Sequence, residues 1–264
     1  MKQKLFFLLM LATIMMGGSA CHEENEDVTT PDFPNIWYGD EVNYQFVTEQ
    51  GVQVTLMFNV AGFPNEEYPD EPCTVALRKC EADGNYSLTI PEAIEHVGHK
   101  FVVKLIYPKA FYHDTNLQAV SIPSGVQTIG LESVFNGCEN LQTVTFADDS
   151  KLWELGYSTF YACKSLKAIT IPARVGSIEA SNFYGCENLT KVSFAGSRVR
   201  FIGTNAFAGC KSLTTITLPD SLKEIAADAF AGCDNLQTVY LKSRPKIDPS
   251  SFPAHTSLIY LDQK

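Results

Sequence analysis

Cysteine is the residue type here with the widest choice of chemistry, because thiols form disulfides, bind metals and act as nucleophiles. The chain of 264 residues has eight cysteines, and five of them recur at intervals of 23 to 25 residues, each three residues after a phenylalanine. These five are Cys138, Cys163, Cys186, Cys210 and Cys233. Because five equivalent thiols cannot all pair, we predict mostly or wholly free cysteines that form a structural core column. Cys73 and Cys80 bracket a predicted strand, which would hold them about 23 Å apart, beyond the reach of a disulfide.

Other chemistry-bearing residues do not form a recognisable site. His96 and His99, with Glu92 and Glu95, could form a metal cluster. A solvated hairpin is the favoured interpretation, because a metal site needs converging ligands with a supporting shell. The sequence has no CxxC, HExxH, G-x-S-x-G, P-loop or GxGxxG motif. We therefore predict a protein that is not an enzyme, with no metal and no cofactor.

The first thirty residues have the organisation of an export signal. A basic start is followed by 12 residues with a single polar side chain, whereas a membrane span needs about 20 apolar residues. Residues 1–20 are therefore predicted to be a signal peptide. The small residues before Cys21 resemble a bacterial lipobox, which implies lipid attachment at Cys21 and an exported outer-membrane lipoprotein. The alternative is a plain secretory signal with Cys21 free.

The segment after Cys21 is polar, acidic and contains proline, so residues 21–32 are predicted to be a lipid-anchored tether. An acidic stretch at this place is similar to the surface-export signal of Bacteroidetes lipoproteins, which implies exposure at the cell surface. The full chain has a net charge of −10, and loss of the signal peptide removes two lysines, which makes the net charge more negative. We therefore expect no basic face for a polyanion and no nucleic-acid partner.

A repeat of 22 to 25 residues organises the rest of the chain. Leucines that follow Asn or Ser mark its register: Leu117, Leu141, Leu166, Leu189, Leu213, Leu236 and Leu258. Each full unit continues with two apolar residues in alternation and a later phenylalanine, and most have a second apolar pair between them. Such a unit predicts one coil of a solenoid, with a short strand and a single helical or 3₁₀ turn around the phenylalanine. Pro123, Pro172 and Pro219 are predicted to end three of these strands.

The repeat predicts six full units and a final strand within residues 87–264, because stacked coils bury a continuous core. A further unit begins near Leu88, with an inserted hairpin near residues 95–100. Asp114 and His255 stand at the cysteine position in the end units, as in capping repeats. Residues 33–86 lie outside the repeat and are predicted to be a small all-β cap over the first edge of the solenoid. Its strands are expected at Val42–Val47, Val52–Val60 and Thr74–Lys79.

The pattern L-x-x-[VI]-x-[IFL]-P…I…F-x-G-C-x-[NS] resembles the BspA-like leucine-rich repeats of bacterial surface proteins. The resemblance covers about residues 88–264. It implies a leucine-rich-repeat solenoid that is curved and right-handed, with a parallel β-sheet on one face. It also implies an adhesive role, since several members of the family bind host matrix proteins or other bacteria.

The residues that alternate with Val and Ile in each strand are predicted to point outward and to form a candidate binding surface. This surface, the sheet strip, contains Thr143, Thr145, Thr170, Lys191, Ser193, Thr215, Thr217, Thr238 and Tyr240. Ordinary β-propensity explains so many threonines as well as binding does. Rival aromatic positions are Tyr157, Tyr161, Tyr184 and Trp153 in the repeats and Trp37 and Tyr38 in the cap.

Two functions remain open. The first is a non-catalytic cell-surface interaction or adhesion protein for a host or bacterial surface protein or a polysaccharide. The second is a glycan-capturing accessory lipoprotein of a polysaccharide-uptake system. Asp220-Ser221-Leu222 also resembles an O-glycosylation site of Bacteroidetes, although a turn explains Ser221 equally well.

Overall fold

A computed structural model describes residues 39–62 and 72–261, in which all regular structure is β-strand. The first six strands are β1 (Glu41–Val47), β2 (Gln53–Gly62), β3 (Thr74–Ala82), β4 (Tyr86–Thr89), β5 (Ala93–His96) and β6 (His99–Ile106). The next seven are β7 (Leu117–Ile122), β8 (Thr128–Glu132), β9 (Thr143–Phe146), β10 (Glu154–Tyr157), β11 (Ala168–Ile171), β12 (Ser177–Ile178) and β13 (Lys191–Phe194). The last six are β14 (Phe201–Ile202), β15 (Thr215–Leu218), β16 (Glu224–Ile225), β17 (Thr238–Leu241), β18 (Lys246–Ile247) and β19 (Ser257–Tyr260). Within these residues there is no helix of the length and apolarity that a membrane span requires.

The alternating strands of the repeat form the first parallel sheet, sheet 1. Strands β4, β7, β9, β11 and β13 pair in that order, and β15, β17 and β19 continue the stack. The register advances by one whole coil at each step, so that Val120 lies beside Val144 and Ile216 beside Val239. Three of the strands end directly before Pro123, Pro172 and Pro219, which confirms that part of the prediction.

A second parallel sheet, sheet 2, is formed by the second apolar pair of each unit, which the sequence analysis did not assign to strands. Strands β6, β8 and β10 pair in order, and β12, β14, β16 and β18 form a further ladder. The short strands β12, β14 and β16 each place one isoleucine inside, as Ile178 and Ile202 do in neighbouring coils. Each coil of the repeat thus has two strands, and the core lies between the two sheets.

The expected helical or 3₁₀ turns around the phenylalanines are wrong, because the described residues have isolated turns there. In most of these segments, every second backbone N–H group donates to a carbonyl of the neighbouring coil. The N–H of Phe135 donates to the carbonyl of Thr159 at 2.8 Å, and the N–H of Gly137 donates to that of Tyr161 at 2.8 Å. A helix would keep these donors within its own segment. Since every second donor is used by the neighbouring coil, the segment cannot continue as a helix.

The N-terminal strands β1, β2 and β3 lie where the sequence analysis expected strands, and they pair antiparallel. Strand β3 then pairs parallel with β6, so these strands extend sheet 2. Sheet 1 ends on β4, and no strand in the described part of the chain pairs with the other side of β4. The inserted hairpin is confirmed as β5 and β6, with His96 paired to His99.

A ladder of phenylalanine rings runs through the core, one ring from each coil. It contains Phe111, Phe135, Phe160, Phe183, Phe207, Phe230 and Phe252. Neighbouring centroids are 4.9 to 5.4 Å apart and the ring planes are nearly parallel. All but Phe252 are fully buried. The coil spacing of the two sheets therefore also sets the spacing of the aromatic core.

Close approach of neighbouring coils at Gly156 gives a testable prediction. A Cβ atom there would lie 2.2 Å from the carbonyl oxygen of Gly130 and 2.5 Å from the backbone of Leu131. Because only separation of the coils could relieve this overlap, we expect Gly156→Ala to cost about 1–3 kcal/mol or more in free energy of unfolding. Gly176→Ala is the matched control, since a Cβ atom there meets nothing within 4 Å. Urea unfolding of both variants checks this, and equal midpoints would contradict the packing.

Candidate interaction surfaces

The cysteine column is part of the interior. Cys138, Cys163, Cys186, Cys210 and Cys233 are fully buried, and all seven cysteines in the described residues are free. Each of the five thiols donates to the carbonyl of the phenylalanine in the preceding coil, as Cys163 does to Phe135 at 3.1 Å. That carbonyl also accepts the N–H of Cys138 at 3.1 Å, so one oxygen joins two coils.

Burial makes these thiols unreactive. It raises the pKa of Cys138, Cys163, Cys186 and Cys210 well above that of an ordinary thiol. Because the thiolate is the form that attacks electrophiles and binds metals, the column offers neither chemistry at neutral pH. Its role in the structure is to fill space and to satisfy a carbonyl.

The column has different ends. At the N-terminal end Asp114 takes the equivalent position, where its carboxylate accepts the N–H groups of Asn116 and Leu117 at 2.9 and 3.2 Å. The buried hydroxyl of Tyr86 also donates to this carboxylate. At the other end His255 is exposed, so the expectation that it fills the cysteine position is wrong. The last coil has no inner side chain there because its turn opens to solvent.

The histidines and glutamates near the hairpin do not converge. Glu92 accepts the N–H groups of Ser124 and Gly125 at 2.9 and 3.3 Å, which fixes the hairpin to the next coil. His96 packs against the ring of Phe101. Among residues 39–62 and 72–261 no three His, Cys, Asp or Glu side chains are close enough to hold a metal ion.

The sheet strip faces outward along β9, β11, β13, β15 and β17. Thr143, Thr145, Thr170, Lys191, Thr215 and Thr217 are exposed, whereas Ser193, Thr238 and Tyr240 are half-buried. The hydroxyl of Thr145 donates to that of Ser121 at 2.9 Å, so some of this polarity is satisfied between strands. The strip is a surface of small side chains with one aromatic ring, Tyr240, which pairs with the exposed Ile259 of β19.

Two tyrosines stack on the turn side of the coils, and a third, Tyr157, is the last residue of β10 in the same coil as Tyr161. The rings of Tyr161 and Tyr184 stack at 4.8 Å with nearly parallel planes. Tyr157 and Tyr184 are 53% and 38% exposed. The residues that follow Tyr184 at the same repeat position are Ala208 and Ala231, so the outer face of the stack borders small side chains. We call Tyr157, Tyr161 and Tyr184 the tyrosine cluster.

The other rival aromatic residues do not join this cluster. Trp153 is half-buried at the start of β10 and makes no ring contact among the described residues. Trp37 and Tyr38 lie outside the described residues, as do the predicted signal peptide and Cys21. Ser221 is half-buried and its hydroxyl donates to the carbonyl of Val199 at 2.7 Å, which gives it a structural role.

A charged column lies beside the cysteines, at the residue after each of them. Its members alternate in sign: Glu139, Lys164, Glu187, Lys211 and Asp234. Lys164 pairs with Glu139 at 2.7 Å and Lys211 pairs with Glu187 at 3.0 Å. The hydrogen bond to Glu139 raises the pKa of Lys164. Four of the five members therefore form ion pairs with one another, and Asp234 leaves the column with one negative charge in excess.

The sequence leads us to expect no basic face, yet exposed cations recur at neighbouring positions of successive coils. Five exposed cations lie at the corner between sheets 1 and 2: Lys151, Arg174, Arg198, Arg200 and Lys223. They flank the buried aliphatic residue that begins the second half of each coil, as Arg198 and Arg200 flank Val199. In the sequence they are dispersed over 73 residues. Because coils stack about 5 Å apart, the repeat brings them into two adjoining columns, with Lys151, Arg174 and Arg198 before the buried residue and Arg200 and Lys223 after it.

Residues 104–198 and 195–263 match the family model for the BspA type leucine rich repeat region, in six copies. No curated protein sequence matches the chain at a significant level. Solved structures with a similar fold include the leucine rich repeat protein of T. pallidum, at 25% identity over 69% of this chain and 68% of that one, with a TM-score of 0.41. Another is a leucine-rich repeat protein of Bacteroides ovatus, at 27% identity over 75% of this chain and 55% of that one, with a TM-score of 0.48.

A third similar structure is a leucine rich cell surface protein of Faecalibacterium prausnitzii. It is 18% identical over 84% of this chain and 96% of that one, with a TM-score of 0.33. The chain spans about half the length of the Bacteroides ovatus protein.

Proposed function

Because the chain belongs to the family of BspA-type leucine-rich-repeat proteins, we propose that it is a non-catalytic cell-surface protein. Its repeats bind a protein or glycan partner through side chains on the outside of the solenoid. A lipid on Cys21 anchors it to the outer membrane, and residues 21–32 hold the solenoid away from the bilayer. Multivalent contact along successive coils supplies the affinity, with no bond made or broken.

The tyrosine cluster is the observation that carries this proposal. Tyrosine is among the residues that contribute most to binding, since it offers a large rigid contact area and a polar end. In the repeats, Tyr157 and Tyr184 are among the few large apolar side chains that remain exposed, and the ring of Tyr184 stacks on that of Tyr161. The sheet strip has only the half-buried Tyr240.

A glycan-capturing accessory lipoprotein is the second candidate. It is favoured by the step between Tyr184 and Ala208, where the outer face of a tyrosine ring borders a small side chain at the next coil. The apolar face of a sugar ring fits against an aromatic face of this kind. A protein side chain would fill the same space, so the choice of partner class needs a binding experiment.

A binding screen tests the proposal on residues 21–264 with Cys21→Ser, against matrix proteins and polysaccharides. We expect Tyr157→Ala with Tyr184→Ala to weaken the best ligand by about 100-fold, or roughly 2.7 kcal/mol. Lys191→Ala with Tyr240→Ala is the control for the sheet strip and is expected to have little effect. The opposite result would transfer the site to the sheet strip, and a screen without any ligand would contradict the proposed function.

A further inference from the structure

The row of cations between the two sheets is not neutralised by the protein. We call Lys151, Arg174, Arg198, Arg200 and Lys223 the basic stripe. Within residues 39–62 and 72–261 none of the five has an ion pair or a side-chain hydrogen bond. All five side chains are exposed. A chain with a net charge of −10 thus concentrates five free cations along one edge.

Being unpaired is not unique to the stripe among the described residues, because Lys100, Lys167 and Lys191 are also exposed without an ion pair. The stripe differs in that its five cations follow one another at neighbouring positions of successive coils, whereas six other cations of the described residues pair with a carboxylate: Arg78 with Glu41, Lys79 with Glu81, Lys109 with Glu132, Lys164 with Glu139, Lys211 with Glu187 and Lys246 with Glu224. Unpaired like charges in adjacent coils repel one another at a coil spacing of about 5 Å. Within the described residues, no ion pair or side-chain hydrogen bond of the stripe offsets this repulsion. Binding of an external anion would offset it.

The surface along the stripe has room for a ligand. A Cβ atom added at Gly176, between Trp153 and Arg200 in the stack of coils, would meet nothing within 4 Å. The half-buried Trp153 borders this gap at one side. Arg174 and Arg198 are in the same coil as Gly176 and in the next one. A tryptophan, a glycine with open space beside it and two arginines therefore occupy neighbouring repeat positions.

At its C-terminal end the stripe leads into a shallow depression of about 390 Å³. Its lining contains Lys223, Lys242 and Arg244, together with Tyr260 and the single carboxylate of Asp220. The guanidinium of Arg244 lies 4.7 Å from the centre of the Tyr260 ring. The depression thus continues the positive charge of the stripe by one further coil.

We propose that the basic stripe binds a linear polysaccharide that carries sulfate or carboxylate groups. From Lys151 to Arg244 the row crosses five coils, a length of about 20 Å, and it is only one or two side chains wide. Asp148 and Asp149 precede Lys151, and Asp220 precedes Lys223, so carboxylates border the positive surface on one side and leave it narrow. A narrow row fits an extended polymer chain better than the broad plane of an anionic membrane.

The chemistry of the stripe suits separate anionic groups on a sugar backbone. Arginine binds a sulfate or carboxylate through two N–H donors at once. The rows of charge repeat at about 5 Å, wider than the 3.4 Å between charges along one strand of DNA. The uncharged ring surface between anionic groups would lie against Trp153 and the gap at Gly176.

This inference rests on the proposed function, since it names the chemical class of one partner, but it concerns a different surface from the tyrosine cluster. The test uses residues 21–264 with Cys21→Ser and heparin as the probe. We expect binding that weakens as NaCl is raised from 50 to 500 mM. The triple variant Arg174→Glu, Arg198→Glu and Arg200→Glu is expected to lose about 100-fold or more in affinity.

A charge-matched control distinguishes the effect of the stripe from the effect of the net charge of the protein. Lys100→Glu, Lys167→Glu and Lys191→Glu change the net charge by the same amount at exposed positions elsewhere, and we expect at most a threefold loss. Equal losses in both variants, or no heparin binding by the unaltered chain, would overturn the inference. Tighter binding to single-stranded DNA or to phosphatidylserine vesicles than to heparin would also overturn it and assign the stripe to that class.

Variants of the tyrosine cluster distinguish a failure of this inference from a failure of the proposed function. Tyr157→Ala with Tyr184→Ala should leave heparin binding unchanged, because neither residue belongs to the basic stripe. If the stripe variants bind heparin normally while the tyrosine variant loses its partner in the screen, the inference fails and the proposed function stands. If the stripe binds heparin but the tyrosine variant loses no partner, the inference stands without the tyrosine cluster.

Discussion

The free energy of unfolding is expected to fall by several kcal/mol between about pH 9 and pH 10.5, because the core contains thiols that stay protonated while folded. Burial raises the pKa of the Cys80 thiol to about 12, and it raises the pKa of Cys138, Cys163, Cys186 and Cys210 further. In the unfolded chain these thiols ionise near their ordinary pKa of 9.0. The two states therefore bind different numbers of protons only above about pH 9.

The direction of the effect follows from proton linkage. Below pH 9 the thiols are protonated in both states, so they add no pH dependence. Above pH 9 the unfolded chain releases protons that the folded chain retains, and stability is lost as the pH rises. Each thiol contributes up to about 1.4 kcal/mol per pH unit. The combined loss is comparable with the whole stability of an ordinary domain, about 5–15 kcal/mol.

Urea unfolding at pH 7, 8, 9, 10 and 10.5 measures this dependence. The matched control is Cys163→Ala with Cys186→Ala, which removes two of the buried thiols. We expect this variant to be less stable than the parent at pH 7, because it lacks two hydrogen bonds to carbonyls and some packing. Its stability should fall less steeply above pH 9. An equal slope in parent and variant would show that the thiols are not the cause.

Phe183→Ala is expected to cost about 3–5 kcal/mol in free energy of unfolding. The ring is fully buried and stacks on two others, at 5.4 Å from Phe160 and 5.1 Å from Phe207. Its loss leaves a cavity between two coils that the sheets hold at a fixed spacing, so the neighbouring rings cannot close it. In a solenoid this weakens the contacts of the coil with both neighbours.

Phe252→Ala is the matched control for this prediction. Phe252 is half-buried and stacks on one ring only, at 4.9 Å from Phe230. We expect less than half the cost of Phe183→Ala. Chemical unfolding followed by circular dichroism compares the two variants. Similar costs at both positions would contradict a core in which each coil is stabilised by the coils on either side.

The features that repeat within one coil could be predicted from the sequence. The leucine register places each coil on the next, and Val120, Val144 and their equivalents are buried as the alternation indicates. Proline ends the strands because it lacks a donor, which depends on no other coil. These properties recur in unit after unit, so comparison of the units along the sequence reveals them. The signal peptide, the tether and the lipid on Cys21 stay predictions.

The features that depend on contacts between coils were decided by the tertiary structure. The N–H groups of Phe135 and Gly137 donate to carbonyls of the neighbouring coil and not to carbonyls within a helix. Only the stacking of coils brings those carbonyls within hydrogen-bond distance. Residues 23 or 24 apart in sequence become neighbours about 5 Å apart. Isolated arginines such as Arg174 and Arg198 thereby become one charged surface, and Tyr161 and Tyr184 become one stacked pair. The sequence determines the content of each coil, whereas stacking determines which surfaces those contents form.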